Sequence, residues 1–368
     1  MTRQPGEDGR HIDPRIGRLE GEAAHQRTGG EKAGKLDPHT TWSKPPGSPS
    51  PDGDRTYYDR PVLKEPVWIW AVPAYFYAGG VAGASAIFAE AVESFSGERT
   101  DDLVVHARWI AAWAGATGSA LLIHDLGRPE RFLNMLRVFR PTSPMSVGSW
   151  VLAAAAPVFG GAALLSRSQG GTGAIGRILG LAGAGLGLPL TAYTAVLLSN
   201  TAVPVWQETR RTLPFLFAAS AAGSSASLLE MTGLNEKESH IVRRFGIAAR
   251  AAEIVAAYFV ERDAARIPRV GRPLKEGLSG SMWAASKAMT AASLTLSAGG
   301  RRSTWARRLA GATGTGAALA TRFAIFQAGK SSARDPRATF HQQRRGRAER
   351  TGVTEDETES YGTNPAKG

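Results

Sequence analysis

From His124 to Trp150 the chain reads His124-Asp-Leu-Gly-Arg128-Pro-Glu-Arg131-Phe-Leu-Asn-Met-Leu-Arg137-Val-Phe-Arg140-Pro-Thr-Ser-Pro-Met-Ser-Val-Gly-Ser-Trp150. On either side lies a stretch apolar enough to cross a bilayer, so this polar, proline-punctuated segment is a loop between two membrane spans. A plain connector needs only turn chemistry. Here Arg128, Arg131, Arg137 and Arg140 alternate with Phe132, Leu133, Met135, Leu136, Val138 and Phe139. That mixture predicts a short amphipathic helix at the membrane surface, with one face offered to a partner. The fold class that follows is an all-α membrane protein which receives something from outside the membrane.

Working outward, the totals mislead. A mean hydropathy of −0.18 over 368 residues suits a soluble protein, but polar, Gly/Pro/Arg-rich ends set that average. The centre is dense in Ala, Leu, Gly and Val, the composition that lets membrane helices approach closely. We divide the chain into a disordered polar tail (1–56), an integral membrane domain (57–340) with its loop at 124–146, and a charged tail (341–368). The stretch from Met1 to Lys44 has no apolar core behind its basic residues and is not read as a cleaved signal. With no cysteine, the chain offers no thiolate for an iron–sulfur cluster, no disulfide and no thiol nucleophile. The net charge of +12 is spread over loops and the C-terminal tail, without a basic helix or aromatic–basic strand. It therefore points to anionic lipid and not to nucleic acid.

Eight segments have the ~20 residues that a ~30 Å hydrocarbon core needs. They are Val67–Val92, Leu103–Ile123, Val147–Leu165, Ala174–Ser199, Leu213–Met231, Ile241–Val260, Ser281–Ala298 and Ala306–Ala328. On the side of the N-terminus the flanking loops carry 17 Lys and Arg, against 10 on the other. The positive-inside bias thus expects both termini and the 124–146 loop in the cytoplasm.

Ionisable groups inside spans face a bundle interior or a water path. Arg250 and Glu253, three apart on one face of the sixth span, can pair or serve as a proton-conducting pair. Glu90, Glu93 and Glu230 end their spans and read as interfacial, as do His106 and Arg108. Lys287 and Arg322 are expected to snorkel to the surface. A b-type haem needs two axial ligands at matching depth. His106, His124 and His240 do not supply them, since two lie at opposite ends of one helix and the third on a loop. Tyr193 in the fourth span needs a hydrogen-bond partner, either a neighbouring carbonyl or a quinone. Tyr75 and Tyr77 read first as an aromatic belt with Trp68 and Trp70, and second as walls of a site. Gly79, Gly80 and Gly83 predict close helix packing.

Asp125-Leu-Gly-Arg-Pro-Glu-Arg-Phe-Leu-Asn-Met-Leu with Ser143-Pro-Met-Ser-Val-Gly-Ser-Trp resembles the loop between the second and third spans of the polysulfide reductase membrane subunits, the NrfD/PsrC family. Tyr57-Tyr58-Asp59-Arg60-Pro61-Val62, Pro73-Ala-Tyr-Phe-Tyr-Ala-Gly-Gly, Ala192-Tyr193-Thr194 and the closing Arg322–Gly329 stretch fit the same pattern. The resemblance implies eight helices arranged as two four-helix bundles, free of haem. It also implies a menaquinone or ubiquinone site near the face where an iron–sulfur subunit docks, wired to a molybdopterin catalytic subunit for polysulfide, nitrite-linked or formate chemistry. Tyr193 matches the family's quinone-contacting tyrosine. The first span departs from the pattern, with Trp68-Ile-Trp70-Ala-Val-Pro73 where polar Asn/His contacts belong. The best-known members also receive partners on the outer face, whereas the charge count here favours the inner one.

The resulting expectation is a quinone-interacting anchor subunit in the cell's inner membrane. Tyr57, Tyr58, Arg60, Arg128, Arg131, Arg137 and Arg140 dock the iron–sulfur subunit. Tyr193, Tyr75 and Tyr77 contact quinone, and Arg250, Glu253 and Asp125 deliver protons. A secondary transporter, which would need repeats with broken helices, and a purely structural anchor remain as alternatives.

Overall fold

The computed structural model describes residues 63–95, 101–126, 134–299, 303–340 and 342, together with a two-residue antiparallel pairing of Ile12–Asp13 with Arg18–Leu19. The rest is helical. In chain order the helices are α1 (Ala71–Phe95), α2 (Asp101–Leu126), α3 (Pro144–Leu164), α4 (Gly170–Ser199), α5 (Pro204–Glu208), α6 (Leu213–Glu230), α7 (Glu236–Ala264), α8 (Pro268–Gly271), α9 (Gly277–Gly299) and α10 (Thr304–Arg334). A 3-10 turn, Arg272–Leu274, precedes α9.

Local chemistry explains where these helices begin. Asn235 caps α7: its side chain accepts from Glu238 N–H (2.9 Å), and the Glu238 carboxylate accepts from Asn235 N–H (2.9 Å), a reciprocal capping box. Ser143 and Ser303 cap α3 and α10 with one bond each, their hydroxyls accepting from Ser146 N–H and Ala306 N–H, and Pro144 sits at the first turn of α3, where its missing N–H costs nothing. Ser146 Oγ accepts from Arg140 N–H (3.0 Å) and donates to Val138 O (3.2 Å), which ties the loop to the start of α3.

Each of the eight expected segments coincides with one helix of 18 to 31 residues. Three of them, α1, α3 and α4, are long and apolar enough to cross a membrane by length and composition. The other five are more polar because they carry charges and hydroxyls, many of them turned inward. The helices α1 to α4 pack on one another; α6, α7, α9 and α10 do likewise, and α1 meets α6 and α10 where the two sets join.

Successive long helices run in alternating directions, and their ends gather at two faces. At the loop face, Ile69 N–H donates to Asp125 (3.3 Å), Trp68 stacks on Trp206 (6.1 Å between ring centres) and Trp206 Nε1 donates to Ile325 O (2.8 Å). There Arg334 grips Glu65 with two hydrogen bonds (2.6 and 2.7 Å), which raise its pKa, and Arg269 pairs with Asp335 (2.8 Å). At the far face, Glu238 accepts from Leu103 N–H (3.0 Å), so the cap of α7 also holds the start of α2. The main core, with Phe76, Phe159, Leu190, Trp206 and Phe217, runs through both sets of helices. Gly83 of α1 lies against Gly187 of α4, where a Cβ on Gly83 would come 2.5 Å from the Gly187 carbonyl oxygen. Only glycine permits that approach.

Candidate functional site

The residues expected to contact quinone separate into two places. Tyr75, buried one turn into α1, approaches Tyr193 in the last turns of α4. The Tyr75 hydroxyl makes no hydrogen bond of ordinary geometry. The Tyr193 ring lies in the space left by Gly148 of α3, so close that any Cβ there would overlap it. Three helices of the first set thus converge on a pair of phenols near the loop face. Tyr77 is not part of this pair. Two residues along a helix turn the side chain through about 200°, and Tyr77 instead faces Thr315 and Arg322 of α10. Its hydroxyl and that of Thr315 are buried against each other without a hydrogen bond of ordinary geometry.

The charged residues also regroup. Arg250 does not pair with Glu253. It pairs with Glu230 of α6 through two hydrogen bonds (3.0 and 2.6 Å), and adds bonds to Ser297 of α9 (2.7 Å) and Ser227 of α6 (2.9 Å). Ser297 itself donates to Glu230 (3.0 Å), and Arg307 of α10 donates to the Glu230 carbonyl (3.2 Å). Glu230 is therefore buried among the helices, 1% exposed, at the end of α6. Packing against α7, α9 and α10 covers the helix end that a linear reading leaves at the membrane surface.

Arg322 likewise does not snorkel. It is 1% exposed, donates to Phe217 O (3.0 Å), and lies 3.9 Å from the centre of the Phe217 ring. Such a cation–π contact stabilises a desolvated guanidinium. Its Nε and Nη1 are unpartnered. Glu253, 5% exposed, interacts electrostatically with Arg322 and Arg250, yet its Oε1 has no hydrogen bond. Tyr77, Ser220, Glu253, Thr315 and Arg322 thus meet at the junction of α1, α6, α7 and α10, Tyr77 against Thr315 and Ser220 against Glu253, with Arg322 Nε and Nη1 and Glu253 Oε1 left without a hydrogen bond of ordinary geometry. Buried polar atoms without partners are uncommon, and such a concentration points to a working site. Lys287 meets the surface as expected, paired with Glu261. Arg108 is buried and pairs with Glu93 near the far face.

Of the docking residues, Arg137 and Arg140 are exposed beside the exposed side chains of Val138, Phe139 and Met145. Tyr57, Tyr58, Arg60, Arg128 and Arg131 lie outside the described residues. Asp125 ends α2 at the loop face. Sequence reasoning did not single out Gly148, Phe217, Ser227 or Ser297. A helical count would have found part of this set. Ser220, Ser224 and Ser227 share one face of α6, and Ser286, Thr290, Ser293 and Ser297 share one face of α9, and all are buried.

The pattern of the family described as Polysulphide reductase, NrfD, matches residues 62–295. The chain belongs to the NrfD family. No curated protein matches it. As an NrfD protein with apolar helices long enough to span a bilayer, it is a multi-pass membrane protein. NrfD proteins are membrane subunits of oxidoreductase complexes. The matched region runs from just before α1 through most of α9. It includes the tyrosine pair and Glu253, while Arg322 lies beyond it.

Proposed function

We propose that this protein is the quinone-interacting anchor of a multi-subunit oxidoreductase. It would cross the inner membrane eight times as two four-helix bundles, with both termini and the 124–146 loop in the cytoplasm. An iron–sulfur subunit docks on Arg128, Arg131, Arg137 and Arg140 together with Tyr57, Tyr58 and Arg60, and links this chain to a molybdopterin catalytic subunit. A bound menaquinone or ubiquinone supplies the carrier for two electrons and two protons.

The observation that carries this reading is the Tyr75–Tyr193 pair beside Gly148, on the same face as the docking loop. The buried Tyr75 hydroxyl, with Tyr193 beside it and no hydrogen bond of ordinary geometry, suits a carbonyl acceptor, and Tyr193 offers a second donor. Gly148 fixes how far the Tyr193 ring can sit towards α3. A partner's cluster docked on that face is then near the two phenols. Tyr77 serves with the interior charges and not at the ring.

Proton uptake at this site needs ionisable groups within reach. Asp125 stands at the loop face, where water supplies protons. Glu253 lies about 16 Å from the loop-face end of α7, at ~1.5 Å per residue, with Arg322 and Arg250 beside it. Arg250, held by Glu230, keeps a fixed positive charge next to Glu253.

Tyr193→Phe keeps the ring and removes one donor. The expected result is a fall of about tenfold in quinone-linked turnover, the worth of one hydrogen bond, with the complex assembled as before. Unchanged turnover would overturn the assignment.

A further inference from the structure

A pocket of about 250 Å³ opens between α7 and α9, away from the tyrosine pair. Leu216, Ala257 and Trp283 form its apolar walls, and Ile254 and Ala291 its rim. Ile254 is 39% exposed, and Val255, Tyr258 and Phe259 beside it on α7 are exposed as well. In a chain that spans the bilayer this rim faces lipid.

The polar groups of the pocket are asymmetric. Its hydroxyls are already donating to their own helices: Ser286 to Trp283 O (2.8 Å), Thr290 to Ser286 O (2.9 Å) and Thr321 to Ala317 O (3.0 Å). The indole N–H of Trp283 is taken by Glu261 (2.5 Å), which also holds Lys287 at the mouth. That engagement fixes Trp283 as a flat wall. The floor is Glu253, whose carboxylate has the Ser220 and Thr321 hydroxyls beside it and whose buried Oε1 makes no hydrogen bond of ordinary geometry. The spare acceptor capacity of Oε1 suits a ligand that brings a donor hydrogen on an otherwise apolar body and enters from the membrane.

We propose that the α7–α9 pocket is a second, lateral binding site for a hydroxyl-bearing aromatic amphiphile of the quinol type, whose O–H donates to Glu253. The flat Trp283 wall and a volume suited to one substituted ring favour an aromatic head over a branched polar one. The proposal rests on the reading of this chain as a membrane-spanning, quinone-reactive subunit. It differs from that reading in place, since Tyr75 and Tyr193 belong to the other set of helices. It also gives Glu253 a direct partner, where the sequence reading made it a relay alone.

The test uses the purified full chain in detergent and the fluorescent quinol analogue 2-heptyl-4-hydroxyquinoline N-oxide, titrated for stoichiometry. The wild type is expected to bind two molecules per chain. Ala257→Phe, which fills the pocket, is expected to leave one, and Glu253→Gln to weaken one class of site about tenfold with the fold intact. Gly148→Ala, which crowds Tyr193, is expected to remove the other class. Binding that responds to Gly148→Ala but not to Ala257→Phe or Glu253→Gln overturns the lateral site and leaves the tyrosine site standing. Binding that responds to the pocket variants alone upholds the lateral site and overturns the tyrosine site. Dioleoylglycerol, an aliphatic hydroxyl lipid, is the competitor. If it displaces the probe from the pocket as well as a short-chain quinol does, the quinol identity is overturned.

Discussion

The first set of helices, α1 to α4, and the second, α6 to α10, solve the same packing problem by opposite chemistry. The first contains all three helices apolar enough to cross a membrane unaided. Its helices meet through small residues, Gly83 on Gly187 and Gly148 on Tyr193. The second holds its helices together with an arginine–glutamate pair and serine stripes. In lipid, helix association draws on van der Waals contact and on polar groups that find one another, and each set emphasises one of these. The contrast also separates tasks. The apolar set brings two phenols together near the loop face, while the polar set keeps charge inside the protein.

The contrast is broken most forcefully at Arg250. Replacing it with Ala leaves Glu230 buried without its partner and is expected to cost about 3–5 kcal/mol, read as a lowered denaturant midpoint of the purified protein. Arg250→Met combined with Glu230→Leu removes both charges and should recover most of that loss. A single substitution costing under ~1 kcal/mol would refute the view that charge holds the second set together.

A smaller effect is expected at Gly83→Leu, where the new side chain meets the Gly187 backbone. Overpacking of this kind costs about 1–3 kcal/mol, measured by the same unfolding assay. Gly185→Ala on the same helix as Gly187 has open space around it, and should gain up to ~1 kcal/mol from helix propensity. If the two variants behave alike, close glycine contact is not what fastens the first set.

The least effect is expected at the loop face. Glu65→Ala removes the partner of Arg334, whose side chain is half exposed, and should cost below ~1 kcal/mol at low ionic strength. Unfolding compared at low and high salt should show the difference vanish as screening increases. A salt-independent loss would make this pair part of the interior.

Much of this was legible in the chain itself. The eight helices fall where apolar runs of about twenty residues predict them, because backbone groups in an apolar setting must be satisfied within the helix. The Asp125–Trp150 motif by itself carries the resemblance to the family. Individual charges were less legible. Arg250 could be recognised as interior, but its nearest ionisable neighbour in sequence, Glu253, was not its partner. Glu230 and Arg322 sat close enough to segment ends to read as surface residues. Tyr75 and Tyr77 looked equivalent, and two positions along a helix sent them to different sites.

Sequence by itself determined the elements and their alternation, since hydrophobic length, Ser and Asn caps and proline positions act locally. It also determined the family through a contiguous motif. Only the tertiary structure decided which buried charges pair, which tyrosines meet, and that the α7–α9 pocket ends on the buried carboxylate of Glu253. Those outcomes depend on which helix faces oppose one another, a relation between residues such as Gly148 and Tyr193 or Glu230 and Ser297 that are far apart in the chain. No local periodicity encodes that relation.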